Sequence, residues 1–257
     1  PQDGHCPGQS SAARPHIAYV HIKCHTGPMP DKDDQQHCWP EEGASLVEKT
    51  VAVLEPLVAD FEVIVVDDRS TDGTHEVADE LAERFPSVRV VHHPKNRGYG
   101  GAVKTGIVSA TKDWIFFSDG DGQFDVSEIE HFLPHAGEFD AVVGYRIDRQ
   151  DPAHRKVFAF CWGTLIRLLF GFRVRDLDCA FKLFRRSFFD GVELHAEGAV
   201  ISVELFATMT KADAKIEQIG VHHYPRRAGE QSGGSPNVIL RAFKELFRLH
   251  GVLRNRP

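Results

Sequence analysis

Asp119, Asp121 and Gln123 stand two residues apart in the segment SDGDGQF, with Gly120 and Gly122 between them. Glycine at both intervening positions lets the backbone curl, so that three oxygen-bearing side chains can converge. Such a set suits a hard divalent cation, Mg2+ or Mn2+, which completes its shell with water and substrate phosphates. The same residues also make an ordinary acidic turn, so the triplet alone does not decide. A second acidic pair, Asp67 and Asp68, closes a β-branched run. A carboxylate beyond the end of a strand can accept hydrogen bonds from ribose hydroxyls or a base edge. Asp72, in STDGT, reads as the cap of the helix that follows. Arg146, Arg155 and Arg226 offer guanidinium forks, which bind phosphate oxygens bidentately and stay charged. Arg149 and Arg227 read as solvated surface charges. The glycine-rich run at 96–101 (NRGYGG) could bring a nucleotide close to the backbone, but it lacks the spacing of a Walker or GxGxxG loop.

These residues need elements to hold them. Residues 61–66 (FEVIVV) form a β-branched run, and a helix is expected over 74–84. The pattern repeats with a strand at 88–91, the glycine-rich loop, and a helix at 102–110. A third apolar run, 114–117, stops at the Asp119 loop. Strands alternating with helices argue for a largely parallel α/β sheet, whose ligands bind beyond the carboxyl ends of the strands, where both acidic clusters sit. Further on, the sequence predicts helices at 126–133, 153–170, 202–210 and 238–249, and strands at 141–145, 179–184 and 215–224. Before them, an apolar stripe of Leu46, Val47, Val51, Leu54 and Leu57 predicts a helix from 44 to about 58. The first forty residues differ in texture, and only 16–23 (HIAYVHIK) alternates as a short strand. The expected organisation is an atypical segment over 1–40 and one domain over 41–250.

The chain of 257 residues is long enough for a sizeable core, and 42% hydrophobic with 26% charged residues is ordinary for a folded protein. A net charge of -7 supplies no basic field for a polyanion, so nucleic acid is not an expected partner. The longest apolar run, 157–172, is broken by Arg167 and falls short of a membrane span. Residues 1–11 lack the charged-then-apolar order of a secretory signal, which makes a cytoplasmic location the expectation. Five cysteines in unlike contexts read as reduced thiols. Cys24-His25 and His37-Cys38 are zinc-binding types, at a spacing that matches no common finger.

Taken in order, FEVIVVDDRSTDGT, NRGYGGA, WIFFSDGDGQF, VRDLDCAFKLFRR and HYPRRAGEQSG resemble family 2 glycosyltransferases of the dolichyl-phosphate mannose synthase type, over about residues 42–249. The resemblance implies a GT-A fold, a Rossmann-like nucleotide-binding half with a mixed central sheet. It also implies a nucleotide-sugar donor, GDP- or UDP-linked, a divalent metal, and inverting transfer of one sugar, often onto a polyprenyl phosphate. By matching position, Val66 and Asp68 contact the nucleoside and Asp67 supports that pocket. Asp119, Asp121 and Gln123 hold the metal and the donor diphosphate, with Gly120 approaching through its backbone. Arg146, Arg155 and Arg226 match basic positions that meet the donor diphosphate or the acceptor phosphate. Asp176 matches an acidic residue near the acceptor; it can serve as a base for a hydroxyl acceptor, but orients rather than deprotonates a phosphate that is already ionised.

The chain departs from the family pattern at three places. Members usually open on a strand running into Pro-x-Tyr-Asn-Glu, which frames the base; here CWPEE ends in Glu42, the one residue that carries over, and 16–23 could supply the strand after a long loop. Ser232 stands where the dolichyl-phosphate enzymes tend to have Lys, and Ala180 replaces a Gly. Two other functions fit the same residues: transfer to a soluble or polysaccharide hydroxyl, and nucleotide-sugar binding without catalysis. A lipid acceptor would bring the protein to the cytoplasmic face of a membrane. The amphipathic pattern at 238–249, with Val238, Ile239, Ala242, Leu246 and Leu249 in one stripe, fits either packing on the domain or peripheral contact with lipid.

Overall fold

The computed structural model describes residues 14–23, 39–147, 153–225 and 236–254; side chains at 22–23, 39–42, 153–159 and 236–239 fall outside the description. Arg149, Arg226, Arg227, Ser232 and the four Cys and His residues between 24 and 38 therefore lie outside the described residues.

Seven strands form one sheet: β1 (His16–Lys23), β2 (Asp60–Asp67), β3 (Val88–His92), β4 (Trp114–Asp119), β5 (Ala141–Arg146), β6 (Lys182–Arg185) and β7 (Ile216–Val221). Their order is β3-β2-β1-β4-β6-β5-β7. The first four are mutually parallel, β6 runs antiparallel to β4 and β5, and β7 is parallel to β5. The sheet is thus mixed, with β6 running against the other six described strands. Among the described residues six α-helices accompany it: α1 (Trp39–Leu57), α2 (Thr74–Arg84), α3 (Gly98–Ser109), α4 (Ala153–Phe170), α5 (Ile201–Lys211) and α6 (Pro236–Arg254).

The strand expected at 16–23 lies in the middle of the sheet, in register with β2 on one side and β4 on the other. Ile17, Ala18, Tyr19, Val20 and His21 are all fully buried, as a parallel strand covered on both faces must be. Its histidines and tyrosine gave it an alternating look that the burial does not share.

Several boundaries moved for local reasons. The helix expected from 102 starts at Gly98 and takes in the glycines, and a Cβ on Gly100 would stand 2.6 Å from the Ala196 carbonyl oxygen. Glycine here permits close packing rather than a phosphate loop: the Gly100 N–H donates to the Glu197 carbonyl at 2.8 Å. The helix expected over 126–133 is two 3-10 turns, Val126–His131 and Leu133–His135. The Asp125 carboxylate starts the first by accepting from Ser127 N at 2.9 Å, and Pro134, without an N–H, cannot extend an α-helical ladder. Asp72 is not the cap of α2. That position falls to Gly73 at φ 79°, and the Asp72 carboxylate accepts from the Thr74 N–H at 3.4 Å and from its hydroxyl.

The expected stripe on α6 packs inward at Leu246 and Leu249. Its outer face instead shows Leu240 and Phe247, each 56% exposed, beside Arg241, Lys244 and Arg248. α4 lies against it through Trp162 and Phe243, with ring centroids 5.1 Å apart, and also exposes Phe160 and Leu168. Among the described residues no helix is long and apolar enough to cross a membrane.

Candidate active site

Register places the chemistry at one edge. The carboxyl ends of β1 to β4 lie together because the four are parallel, and antiparallel β6 brings its first residue, Lys182, opposite Phe117 near the end of β4. β5 pairs Val143 with Lys182 and ends at Arg146, which pairs with Val221 at the end of β7. The loops carrying Asp67-Asp68, 119–123, Arg146 and Asp176 therefore open on the same side of the sheet.

Asp119 closes β4 with its carboxylate half-buried, and the Tyr99 hydroxyl on α3 donates to its Oδ1 at 3.0 Å. Gly120 is buried, and Gly122, at φ 67°, turns the chain in the left-handed region. That turn lets Asp121 Oδ1 accept from the Gln123 N–H at 3.1 Å. Gln123 is buried, and its amide nitrogen donates to the Tyr224 carbonyl at 3.0 Å. Only its Oε1 is left as the kind of atom a cation could use. Tyr224 N–H donates back to the Gln123 carbonyl at 2.9 Å, so the Asp119 loop and the segment leading to Arg226 are joined by two bonds. All side-chain donors in this loop are oxygens once Gln123 is counted by its carbonyl, a set chemically suited to Mg2+ or Mn2+.

Val66 is fully buried in the sheet, so any contact it makes with a ligand runs through its backbone. Asp68 is fully buried too, and its Oδ1 accepts from His93 Nδ1 at 2.6 Å and from the Arg97 N–H at 2.7 Å. His93 continues to the Thr105 hydroxyl at 2.8 Å. Asp68 thereby pins the start of α3 to the end of β2. Asp67 Oδ1 accepts from the Ser70 N–H at 2.8 Å and Oδ2 from His92 Nδ1 at 2.9 Å. Burial works to raise the Asp67 carboxyl, but hydrogen bonds from His92 and Ser70 hold it below the usual range.

Across the edge, Arg146 and Asp176 form a bidentate pair, Nε to Oδ2 at 2.6 Å and Nη2 to Oδ1 at 2.8 Å, with the Arg146 N–H also donating to Oδ2 at 3.2 Å. Burial opposes the guanidinium charge, and Asp176 more than restores it. With three donations from one residue, Asp176 is placed to orient Arg146 rather than to take a proton. Glu42 and Arg155 lie in the first turns of α1 and α4, with side chains outside the described set.

Sequence reasoning missed five participants: Tyr99, His93, Lys182, and Glu204 and Glu245, whose carboxylates hold the 195–198 segment. Lys182 is fully buried, donates to the Cys179 carbonyl, and lies 5.8 Å from the ring centroids of Phe117 and Phe206. Burial pushes its ammonium down, against Cys179, Asp119, Asp178 and Asp176, which favour the charge. Only its place in an apolar run, C-A-F-K-L-F, could have signalled that it points inward. Cys161 and Cys179 are free thiols, and burial pushes Cys179 up to about 11.

The glycosyl transferase family 2 profile matches residues 41–192. The undecaprenyl-phosphate 4-deoxy-4-formamido-L-arabinose transferase of Enterobacter sp. strain 638 is 32% identical over 87% of this chain and 66% of its own length. Human dolichyl-phosphate beta-glucosyltransferase is 34% identical over 63% of this chain and 55% of its own. The chain thus spans two thirds or less of the length of these curated relatives. Among solved structures, glucosyl-3-phosphoglycerate synthase from Mycobacterium tuberculosis, in complex with Mn2+, UDP and phosphoglyceric acid, superposes with a TM-score of 0.65 at 17% identity, covering 96% of this chain and 85% of that one. With the mixed sheet, the acidic loop after β4 and the matched span in agreement, the chain belongs to glycosyl transferase family 2 and has the GT-A fold.

Proposed function

We propose that this protein transfers one sugar from a nucleotide-sugar donor to a polyprenyl phosphate, with inversion and with a divalent cation. The observation that carries this reading is the opposition, at one sheet edge, of the Asp119–Asp121 loop and the Arg146–Asp176 pair. Asp119, Asp121 and Gln123 would hold Mg2+ or Mn2+, which would shield the donor diphosphate from the carboxylates and stabilise it as it leaves. Arg146, kept charged and oriented by Asp176, would meet a phosphate, with Arg155 and Arg226 as the further cations. A phosphate oxygen of the acceptor would then form the new bond to the anomeric carbon as the bond to the diphosphate breaks on the opposite face. Because that oxygen is already ionised, no side chain needs to remove a proton, which agrees with an Asp176 committed to Arg146. Val66, Asp67, Asp68 and Glu42 would border the nucleoside, with GDP and UDP both admitted.

The relatives named for undecaprenyl- and dolichyl-phosphate acceptors support the lipid acceptor. So does the outer face of α4 and α6, where Phe160, Leu168, Leu240 and Phe247 stand exposed beside cations, a pattern suited to peripheral contact with anionic lipid. The test is release of nucleoside diphosphate from GDP-mannose, UDP-glucose and UDP-N-acetylglucosamine, with and without polyprenyl phosphate. Release that requires the lipid phosphate, together with a glycolipid product, supports the reading. Equal turnover with a hydroxyl acceptor in its place would move the function to the alternative chemistry.

A further inference from the structure

The second oxygen of Asp67 faces a cluster that the proposed transfer does not use. His92 Nδ1 lies 2.9 Å from Asp67 Oδ2 and His75 Nδ1 lies 3.4 Å from the same atom. The two imidazoles lie face to face at a tilt, with centroids 3.7 Å apart and planes at 33°. Their other nitrogens both turn to Asp79, His92 Nε2 at 3.0 Å and His75 Nε2 at 3.8 Å. Each ring therefore bridges the same two carboxylates, with like nitrogens at each end.

We propose that Asp67, His75 and His92 form a binding site for a borderline divalent transition metal, Zn2+ foremost, separate from the oxygen set at Asp119 and Asp121. Ligands 2.0–2.2 Å from a tetrahedral zinc are about 3.3–3.5 Å from one another. The observed 2.9 and 3.4 Å to Asp67 Oδ2 lie within a few tenths of that, and all three donor atoms fall within 4.8 Å. The donor set also selects the metal: two imidazoles and a carboxylate suit zinc and its neighbours, whereas Mg2+ prefers oxygen alone. Asp79 completes the arrangement as an outer partner. By accepting the Nε2–H of His92 it would leave that ring's Nδ1 lone pair for the ion, the carboxylate–histidine–metal relation of many zinc sites, and it stands 3.8 Å from the Nε2 of His75 as a nearby counter-charge.

Three rigid elements supply the ligands. Asp67 and His92 are register partners at the ends of β2 and β3, and His75 sits in the first turn of α2. Asp67 is buried, while the His75 side chain is 52% exposed, so an ion can arrive from solvent and keep a water in the fourth position. Metal and protons compete for the same nitrogens. Without metal both nitrogens of His92 face carboxylates, so binding must displace protons and strengthens as pH rises. A bound ion would tie the 68–74 loop to β3, beside the carboxylate of Asp68.

Titration of the full chain with Co2+ tests this without reference to turnover. The expected result is the intense visible band of four-coordinate cobalt at one equivalent, bleached by stoichiometric Zn2+, and retained in Asp121→Ala, which disables the other site. Loss of one imidazole in His75→Gln or His92→Gln should weaken binding on the order of 100-fold, and Asp79→Asn by roughly tenfold. His75 is half-exposed, so its variant will stay folded, as far-UV circular dichroism would verify, even if replacing His92 disturbs β3. No visible band in the wild type, or a band of unchanged affinity in His75→Gln, would overturn the assignment.

Discussion

Replacing Gly106 by Ala tests whether residues 16–23 are truly the central strand. A Cβ on Gly106, in the last turn of α3, would stand 2.1 Å from Val20 Cγ1, 3.3 Å from its Cβ and 3.4 Å from its Cγ2. Carbon atoms prefer about 3.5–4.0 Å, so the nearest contact is short by well over an ångström. Val20 has no room to yield, being fully buried between register partners Ile64 on β2 and Phe117 on β4. Overpacking of this kind costs about 1–3 kcal/mol, against a helix-propensity gain of about 0.8–1.0 kcal/mol for Ala over Gly. Gly106→Ala should therefore destabilise, by up to about 2 kcal/mol after the gain is subtracted. Val20→Ala removes two buried carbons, worth about 1.6 kcal/mol in transfer alone, and leaves a hole where Gly106→Ala would put its methyl group. On the Val20→Ala background the same glycine substitution should stabilise. The coupling between the two sites should exceed about 1 kcal/mol, within the range for residues in contact. Urea unfolding of the four proteins, followed by tryptophan fluorescence at constant slope, measures it. If Gly106→Ala stabilises on both backgrounds and the two changes add within about 0.5 kcal/mol, Val20 does not face α3 and the placement of β1 is wrong.

Asp121→Ala should abolish transfer while leaving the fold intact, since its carboxylate is half-exposed and a loop hydrogen bond such as the one it accepts from Gln123 is worth about 1 kcal/mol; undiminished nucleoside diphosphate release in saturating Mn2+ would remove Asp121 from the proposed metal site. Tyr99→Phe deletes the donor to Asp119 at 3.0 Å and should raise the metal concentration needed for half-maximal rate, whereas an unchanged metal dependence would leave Tyr99 only its packing against Phe117. Arg226→Lys keeps the charge but loses the fork, so most activity should go, and Arg227→Lys should be nearly silent; equal kinetics in the two variants would place Arg226 among the surface charges. Burial works to raise the Glu62 carboxyl, but Arg89 at 2.7 Å and the Thr111 N–H at 2.6 Å hold it below its ordinary 4.5. A depressed carboxyl stabilises fully above its unfolded value and loses that contribution as pH falls through the folded one, so the stability gap between wild type and Glu62→Gln should shrink between neutral pH and pH of about 3; a gap independent of pH would show that Glu62 is not ionised in the folded protein.

What the sequence made legible is what short-range pattern controls. The helices over 74–84 and 153–170 match α2 and α4 to the residue, because apolar spacing and punctuation agree there. The acidic residues at the ends of β2 and β4 were legible for the same reason: a strand that stops in Asp-Asp or Asp-Gly-Asp has its polar atoms at the sheet edge. The failures share another cause. Gly100 looked like loop material but lies within α3, where a side chain is excluded by a carbonyl at Ala196, nearly a hundred residues away. His75 and His92 were unremarked, since nothing in either sequence neighbourhood says that β3 and α2 bring them into stacking distance. Lys182 is buried beside Phe206 from α5, a neighbour its own strand does not disclose.

The polar groups beneath the site show how a fold with a half-exposed acidic loop can still hold that loop in place. Glu204, fully buried on α5, accepts from the His195 N–H at 2.8 Å and the Ala196 N–H at 2.7 Å, and Glu245 on α6 accepts from the N–H groups of Glu197 and Gly198. Two carboxylates thus satisfy four successive backbone donors, and the 195–198 segment needs no ladder of its own to stay fixed. Held there, the Glu197 carbonyl accepts from Gly100, which sets the depth of α3 against this segment. Tyr99 is the residue before Gly100, so the depth of α3 also sets where its hydroxyl meets Asp119. Asp68 fixes the other side of the same turn through Arg97 N–H and His93. Asp119, the last residue of β4, is therefore held by its pairing with β1 and, through Tyr99, from α5 and α6 as well.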